Sequence, residues 1–189
     1  MKLLKKDINK KMFKISESDD KEHSLYLFRP NMFQLFYRNE YPFERSIKQI
    51  VRFMLEFLRA HYKVYYLVDK NMNVCGMCAV QLCGHGRYSF FEKDSYMIGP
   101  YAVNKEFRGK GFSTKMLKMV LAELPLDAVL YDWISKDNTA SRAATEKMGF
   151  VPINGMKLTS VMRRFMLGDI EYGDYLIYKT ENKYGKKSI

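Results

Sequence analysis

Apolar positions along the chain alternate between two periods, and the change of period marks the elements. From Phe43 to His61 they fall at Ile47, Ile50, Val51, Met54, Leu55 and Leu58, with Arg45, Lys48, Arg52 and Arg59 off the stripe, which predicts an amphipathic helix. From Phe112 to Leu124 they recur at Phe112, Met116, Leu117, Val120, Leu121 and Leu124, leaving Lys115 and Lys118 to water, a second helix. β-rich runs at His23–Phe28, Tyr62–Val68, Val74–Leu82, Tyr96–Val103 and Ala128–Ile134 read as strands. Polar turns such as Asp69-Lys70-Asn71-Met72-Asn73 separate them, so three sequential antiparallel strands lead up to Val103. Met32–Tyr37 is expected to form a short helix, and Pro42 breaks it. A third helix is expected to start at Asp137 or Asn138 and to stop at Gly149 in a left-handed cap. Met156–Met166 and Asp174–Lys179 supply late strands, expected as a hairpin joined near Gly168 and Gly173. Residues 1–22 and 180–189 are polar or basic and are expected to be mobile ends of one domain spanning 1–189. No internal repeat interrupts this order.

Chemistry concentrates where the strand ending at Val103 meets the helix beginning at Phe112. The intervening Arg108-Gly109-Lys110-Gly111 places two glycines before a helix N-terminus, where unpaired N–H groups and the positive end of the dipole meet an anion. Gly109 and Gly111 carry no Cβ to hold a pyrophosphate away from those amides. The spacing is too short for the lysine-terminated phosphate loop, and it lacks the third glycine of a dinucleotide fold.

Arg108-x-x-Gly111-x-Ser113, after a strand that ends in an apolar residue, resembles the coenzyme-A loop of the GNAT superfamily of acyl-CoA N-acyltransferases. Asn138-Thr139-Ala140-Ser141, followed by Glu146-Lys147-Met148-Gly149-Phe150, resembles a second mark of that family, and the two together span residues 62–152. The resemblance implies an α+β fold: a central, mostly antiparallel sheet of about six to seven strands flanked by helices, with one strand pair splayed apart. It implies acetyl-CoA as donor, with no metal. Tyr101, Ala102 and Val103 would offer main-chain groups to the pantetheine arm. Arg108, Gly109, Lys110, Gly111, Phe112 and Ser113 would hold the pyrophosphate, and Asn138 and Ser141 would contact the pantetheine or its phosphate end. Pro100 stands where the family often distorts this strand. The first helices flank the acceptor pocket in the family, which makes Phe33, Phe36 and Tyr37 candidates for its wall, with core packing the competing role.

Two family residues are replaced. Relatives often carry Tyr seven residues after the capping Asn to protonate the departing thiolate, and Thr145 stands there; relatives often carry Glu five residues before it, and Trp133 stands there. Met97 falls where another carboxylate is sometimes found. Water, Tyr96, Tyr101, Tyr131 or a carboxylate of the first helices could serve, and the catalytic acid and base are left unassigned. An indole at the open end of the splayed strands suits the flat face of a sugar ring, so Trp133, with Tyr131 and Phe33, is a candidate for acceptor binding.

Composition narrows the partners. Lys and Arg outnumber Asp and Glu by 32 to 21, a formal charge of +11, which favours anionic partners, coenzyme A among them. No apolar run spans a bilayer and the N-terminus lacks a signal-peptide core, so a cytoplasmic protein is expected, with no membrane partner. Cys75, Cys78 and Cys83 are expected to be buried thiols; strand alternation predicts that Cys75 and Cys78 point to opposite faces, against a zinc or redox CxxC site. The leading reading is an acetyl-CoA-dependent transferase acting on a primary amine of a small molecule, an amino sugar in particular. A lysine or N-terminal protein acetyltransferase and an inactive acyl-CoA-binding module are the alternatives. Nucleic acid is not an expected partner, for no recognition signature accompanies the charge. The oligomeric state stays open, a homodimer included.

Overall fold

The structure, a computed structural model, describes residues 1–31, 33–39, 47–59, 62–84, 88–89, 91–153 and 175–186. Its strands are β1 (Met12–Glu17), β2 (His23–Phe28), β3 (Lys63–Asp69), β4 (Val74–Leu82), β5 (Tyr96–Val103), β6 (Val129–Ser135), β7 (Val151–Pro152) and β8 (Tyr175–Glu181). The helices are α1 (Ile47–Arg59), α2 (Phe112–Leu121) and α3 (Thr139–Lys147). The eight strands found among the described residues join one sheet in the order β1-β2-β3-β4-β5-β6-β8-β7. Every pairing is antiparallel except β5 with β6. That parallel pair is bridged by α2, which must cross over the sheet to return the chain in the same direction.

The two faces have separate cores. On one, α2 and α3 cover Leu25, Leu67, Cys78, Val80, Ile98, Leu130, Ile134 and Tyr178 with Met116, Leu117, Val120, Leu121 and Ala144. On the other, Leu35, Phe36 and Tyr37 bury against Met12, Tyr26, Phe28, Val64, Tyr66 and Ala79, with Ile50, Met54 and Phe57 of α1 packed beside them. A third cluster, Cys83, Tyr88, Phe91, Met97, Tyr131 and Ile177, occupies the β5–β6–β8 end of the sheet.

Several expectations change. Two of the eight strands among the described residues were not expected: the short β7, and β1, which forms from the polar start where Met12 is fully buried. Only one or two apolar side chains need face inward on an edge strand, and the surrounding lysines hid them. The other end is anchored too. Thr180 and Glu181 finish β8, and Asn182 Nδ2 donates to the Leu121 and Pro125 carbonyls, both at 2.9 Å, closing the end of α2 and its exit turn. Met32–Tyr37 is no helix: Asn31 Oδ1 accepts from Phe33 and Gln34 N–H in a tight turn, and a 3-10 turn follows at Tyr37–Asn39, Met32 itself lying outside the described residues. α1 turns Ile47, Val51, Leu55 and Leu58 outward, since the apolar arc is wider than the stripe one sheet face can cover. Cys75 and Cys78 share the core under α2 instead of facing apart. The β3–β4 register slips at Cys75, between the Leu67–Gly76 and Val68–Val74 pairs, and one extra residue reverses the parity. Both thiols are free and buried. The hairpin expected over Met156–Met166, Gly168 and Gly173 lies outside the described residues; Tyr175–Glu181 pairs with β6 and β7. Among the described residues, no helix is long and apolar enough to cross a membrane.

Candidate active site

β5 and β6 pair at only two positions, Tyr96–Leu130 and Met97–Tyr131, and then separate. Beyond Met97, β5 bulges against β4, where the register shifts between Cys78 and Val80, and the Gly99–Pro100 peptide is cis. Where β5 and β6 part, Ile98–Val103 lies on one side of a slot and Asp132–Ser135 on the other. Because the two strands are parallel, α2 and α3, which follow them, both begin at the same edge of the sheet as the slot's mouth.

On the β5 side, Arg108 folds back so that its Nε donates to the Val103 carbonyl at 3.0 Å, and Lys110 Nζ donates to the Glu106 carbonyl at 3.0 Å. Gly109 and Gly111 have φ of +75° and +77°, and a Cβ on either would meet no atom within 4 Å. A left-handed backbone facing open space before α2 is a cradle that only glycines leave empty. Gly111 is the N-cap and contributes no side-chain acceptor, so the first-turn N–H groups of Phe112 and Ser113 keep their capacity for an anion. The residues therefore fit a pyrophosphate. Phe112 is fixed by edge contacts to His23 at 5.0 Å and Phe107 at 5.4 Å between ring centroids. Lys115 Nζ bonds Asp20 Oδ2 at 2.6 Å and His23 Nδ1 at 3.3 Å, pinning the β1–β2 turn to α2. Burial and the Lys115 charge push His23 below the ordinary imidazole value.

On the β6 side, Asn138 caps α3, its Oδ1 accepting from Ser141 N–H at 3.1 Å. The structure brings Tyr101 to this helix: its hydroxyl donates to the Ser141 carbonyl at 2.9 Å and lies 2.9 Å from Thr145 Oγ1. Thr145 Oγ1 is in turn hydrogen-bonded to Asp132 Oδ2 at 2.8 Å, and Trp133 N–H donates to Asp132 Oδ1 at 2.7 Å. Asp132 is buried, and desolvation pushes its carboxyl up to about 7, against smaller opposing effects of the Thr145 and Trp133 hydrogen bonds. Sequence reasoning missed Asp132. Its signal was present, a lone carboxylate in phase with Leu130 and Ile134, the inward positions of an apolar strand.

Neighbouring residues alternate across a strand, so Trp133 faces the opposite side of the sheet from Asp132. There its ring packs at 5.1 Å on Tyr175, and Tyr131 packs at 4.3 Å on Phe91. Lys179 Nζ sits 5.6 Å over the Tyr131 ring and 2.6 Å from Glu92. Gln81 pairs with Met97, which pairs with Tyr131, so the three form a row across β4, β5 and β6. Gln81 is buried; its Nε2 donates to the Gly99 carbonyl at 3.4 Å and its Oε1 has no hydrogen-bond partner. Of the remaining pocket candidates, Phe36 and Tyr37 are core, and Phe33 is 91% exposed in the turn before them, outside the cluster that joins Tyr131 and Trp133.

The Acetyltransferase (GNAT) family profile matches residues 29–150. Among solved structures, an uncharacterized protein from Bacillus halodurans is similar at 13% identity, with 90% of each chain covered and a TM-score of 0.58. A GNAT-family acetyltransferase from Staphylococcus aureus Mu50 matches at 13% identity over 65% of this chain and 68% of its own, TM-score 0.44. YncA from Salmonella typhimurium, solved with its cofactor acetyl-CoA, matches at 18% identity over 65% of this chain and 66% of its own, TM-score 0.44. No curated protein matches the chain. A family profile that covers most of the chain, on a sheet splayed beside a glycine cradle, settles its membership: the chain belongs to the GNAT family of acetyltransferases and is an acyltransferase.

Proposed function

We propose that the protein transfers the acetyl group of acetyl-CoA to a primary amine of a small molecule, with an amino sugar as the acceptor class. The observation that carries this reading is the division of the slot between two faces: an anion cradle and buried acid on the α2–α3 side, an aromatic face on the other. Bound in the slot, acetyl-CoA supplies the thioester. Gly109, Lys110, Gly111, Phe112 and Ser113 hold the pyrophosphate on backbone N–H groups, with Arg108 bracing the loop through Val103. Tyr101, Ala102 and Val103 line the β5 wall for the pantetheine arm, and Asn138 and Ser141 stand at the α3 end of the opposite wall. A backbone N–H along Tyr101–Val103 would stabilise the oxyanion.

On the acceptor side, the Trp133 indole, packed at a tilt against the Tyr175 ring, offers an apolar face suited to a sugar ring. Gln81 Oε1 is a buried acceptor with no donor, a costly arrangement that an amine N–H would relieve. Tyr131 stands in the same row as Gln81, with the Lys179–Glu92 pair beside it.

The test is a screen of free and nucleotide-linked amino sugars, simple amines, lysine peptides and N-terminal peptides with acetyl-CoA. Acetylation of an amino sugar is expected, and Trp133→Ala is expected to raise the acceptor KM roughly tenfold while leaving acetyl-CoA affinity within about twofold. Transfer only to peptides, or to no amine despite acetyl-CoA binding, would contradict the reading.

A further inference from the structure

Three hydrogen-bond contacts run in series from β6 to α3. Asp132 Oδ2 lies 2.8 Å from Thr145 Oγ1, Thr145 Oγ1 lies 2.9 Å from the Tyr101 hydroxyl, and that hydroxyl lies 2.9 Å from the Ser141 carbonyl oxygen. Each contact needs one hydrogen. Thr145 and Tyr101 carry one apiece and the Ser141 carbonyl carries none. If Asp132 is ionised, two hydrogens must serve three contacts, and one pair of oxygens meets with nothing between. If Asp132 is protonated, all three are filled in one direction, Asp132 to Thr145 to Tyr101 to the Ser141 carbonyl.

The surroundings favour the same state. Asp132 is 3% exposed, and its second oxygen is occupied by Trp133 N–H. Among the described residues, the titratable groups facing it are Cys78 from β4, Tyr101 from β5 and its register partner Tyr178 from β8, and none of them is a cation. From α3, Thr145 touches it directly, while Arg142 and Glu146 are engaged with the Tyr178 hydroxyl at 3.2 and 2.9 Å. Burial without a neighbouring positive charge favours the neutral acid.

We propose that Asp132 carries a proton in the resting protein and that the line through Thr145 and Tyr101 delivers it to the slot as the acid of the transfer reaction. This rests on the acetyl-transfer reading. When the new N–C bond forms and the C–S bond breaks, the electron pair of the latter stays on sulfur. The Tyr101 hydrogen turns from the Ser141 carbonyl to that sulfur, Thr145 replaces it on Tyr101, and Asp132 replaces the hydrogen on Thr145. Asp132 is left as a carboxylate and recovers a proton from water, and the proton shed by the amine returns to water. Threonine alone is a poor acid; a carboxylic acid behind it is a competent one. Asp132 acts through two other residues and is therefore a positioning residue.

Infrared titration of the protonated-carboxyl stretch, with Asp132→Asn as the assignment, reads the proton without turnover. The band is expected at pH 6 and lost in Asp132→Asn. In Tyr101→Phe the midpoint falls by about one pH unit, because Thr145 is freed to give its hydrogen to the carboxylate. Asp132→Asn keeps a donor to Thr145 but no transferable proton, so its transfer rate is expected to fall about a hundredfold with unchanged acetyl-CoA affinity. The wild-type rate is expected to decline above neutral pH, and that decline is expected to vanish in Asp132→Asn. No band at pH 6, midpoints unmoved by Tyr101→Phe, or a wild-type rate and pH profile in Asp132→Asn would each overturn the proposal. A protein that binds acetyl-CoA and acetylates nothing would overturn the proposed function and the delivery step together, while the stored proton would still stand or fall on the midpoints.

Discussion

Asp132→Asn is expected to be more stable than the wild type at pH 8 and no more stable at pH 4. The folded carboxyl is held up to about 7 by burial, whereas the ordinary value is 3.8. Below the ordinary value both states are protonated and the group is neutral with respect to folding. As pH rises through the interval, the unfolded chain releases a proton that the folded protein retains, so wild-type stability falls; above about 7 the loss is constant. Each unit of displacement corresponds to about 1.4 kcal/mol, which makes the full difference a few kcal/mol. The asparagine amide can donate to Thr145 while its oxygen still accepts from Trp133 N–H, so the substitution removes the titration and keeps the contacts. Urea unfolding at pH 4, 6 and 8 checks this. A difference between the two proteins that is the same at all three pH values would mean that Asp132 titrates as an ordinary carboxylate.

Gly185→Ala is expected to destabilise the fold by about 3 kcal/mol or more. A Cβ at Gly185 would clash with the Leu124 carbonyl oxygen and stand 2.5 Å from both Leu126 N and the Pro125 carbonyl carbon. All three are backbone atoms, so no side chain can swing aside. Relief requires the 182–186 segment to lift from the α2–β6 connection, where Leu126 N–H donates to the Lys186 carbonyl at 2.9 Å and Asp127 N–H to the Asn182 carbonyl at 2.9 Å. Asn182 is buried there with its side-chain amide bonded to the end of α2, and leaving those carbonyls unpaired adds to the loss. The connection sets where β6 begins and hence the width of the slot, so acetyl transfer should weaken along with stability. Chemical denaturation of the variant is the check; a change within about 0.5 kcal/mol would show that the tail does not clamp this turn.

What the sequence disclosed and what it concealed follow from range. The glycines before Phe112, the cap at Asn138 and the left-handed Gly149, whose φ is +87°, are local devices, and each stands where its residue type predicts. α2, α3 and strands β2 to β6 were equally legible, because each carries its own period. The partnership of Asp132, Thr145 and Tyr101 was not, since it joins two strands and a helix across a splay whose register no single element encodes. Thr145 read as the loss of an acid; in the fold it is the link between an acid and a tyrosine. The parity of Cys75 was misread for a similar reason, because a bulge is a property of a strand pair. The docked C-terminal segment was hidden by its charge: Lys183 and Lys186 are exposed, and the packing is done by Asn182, Tyr184 and Gly185.

Calorimetric titration of acetyl-CoA into the wild-type protein and into Gly111→Trp tests the donor site most directly. A Cβ at Gly111 would meet no atom within 4 Å, so an indole there would stand in the space proposed for the pyrophosphate, with the backbone strain of a side chain at φ +77°. The expected result is saturable binding by the wild type and binding at least about a hundredfold weaker in the variant, with an unchanged circular dichroism spectrum. No binding by the wild type, or equal binding by both proteins, would contradict the assignment of this loop as the site that holds the donor.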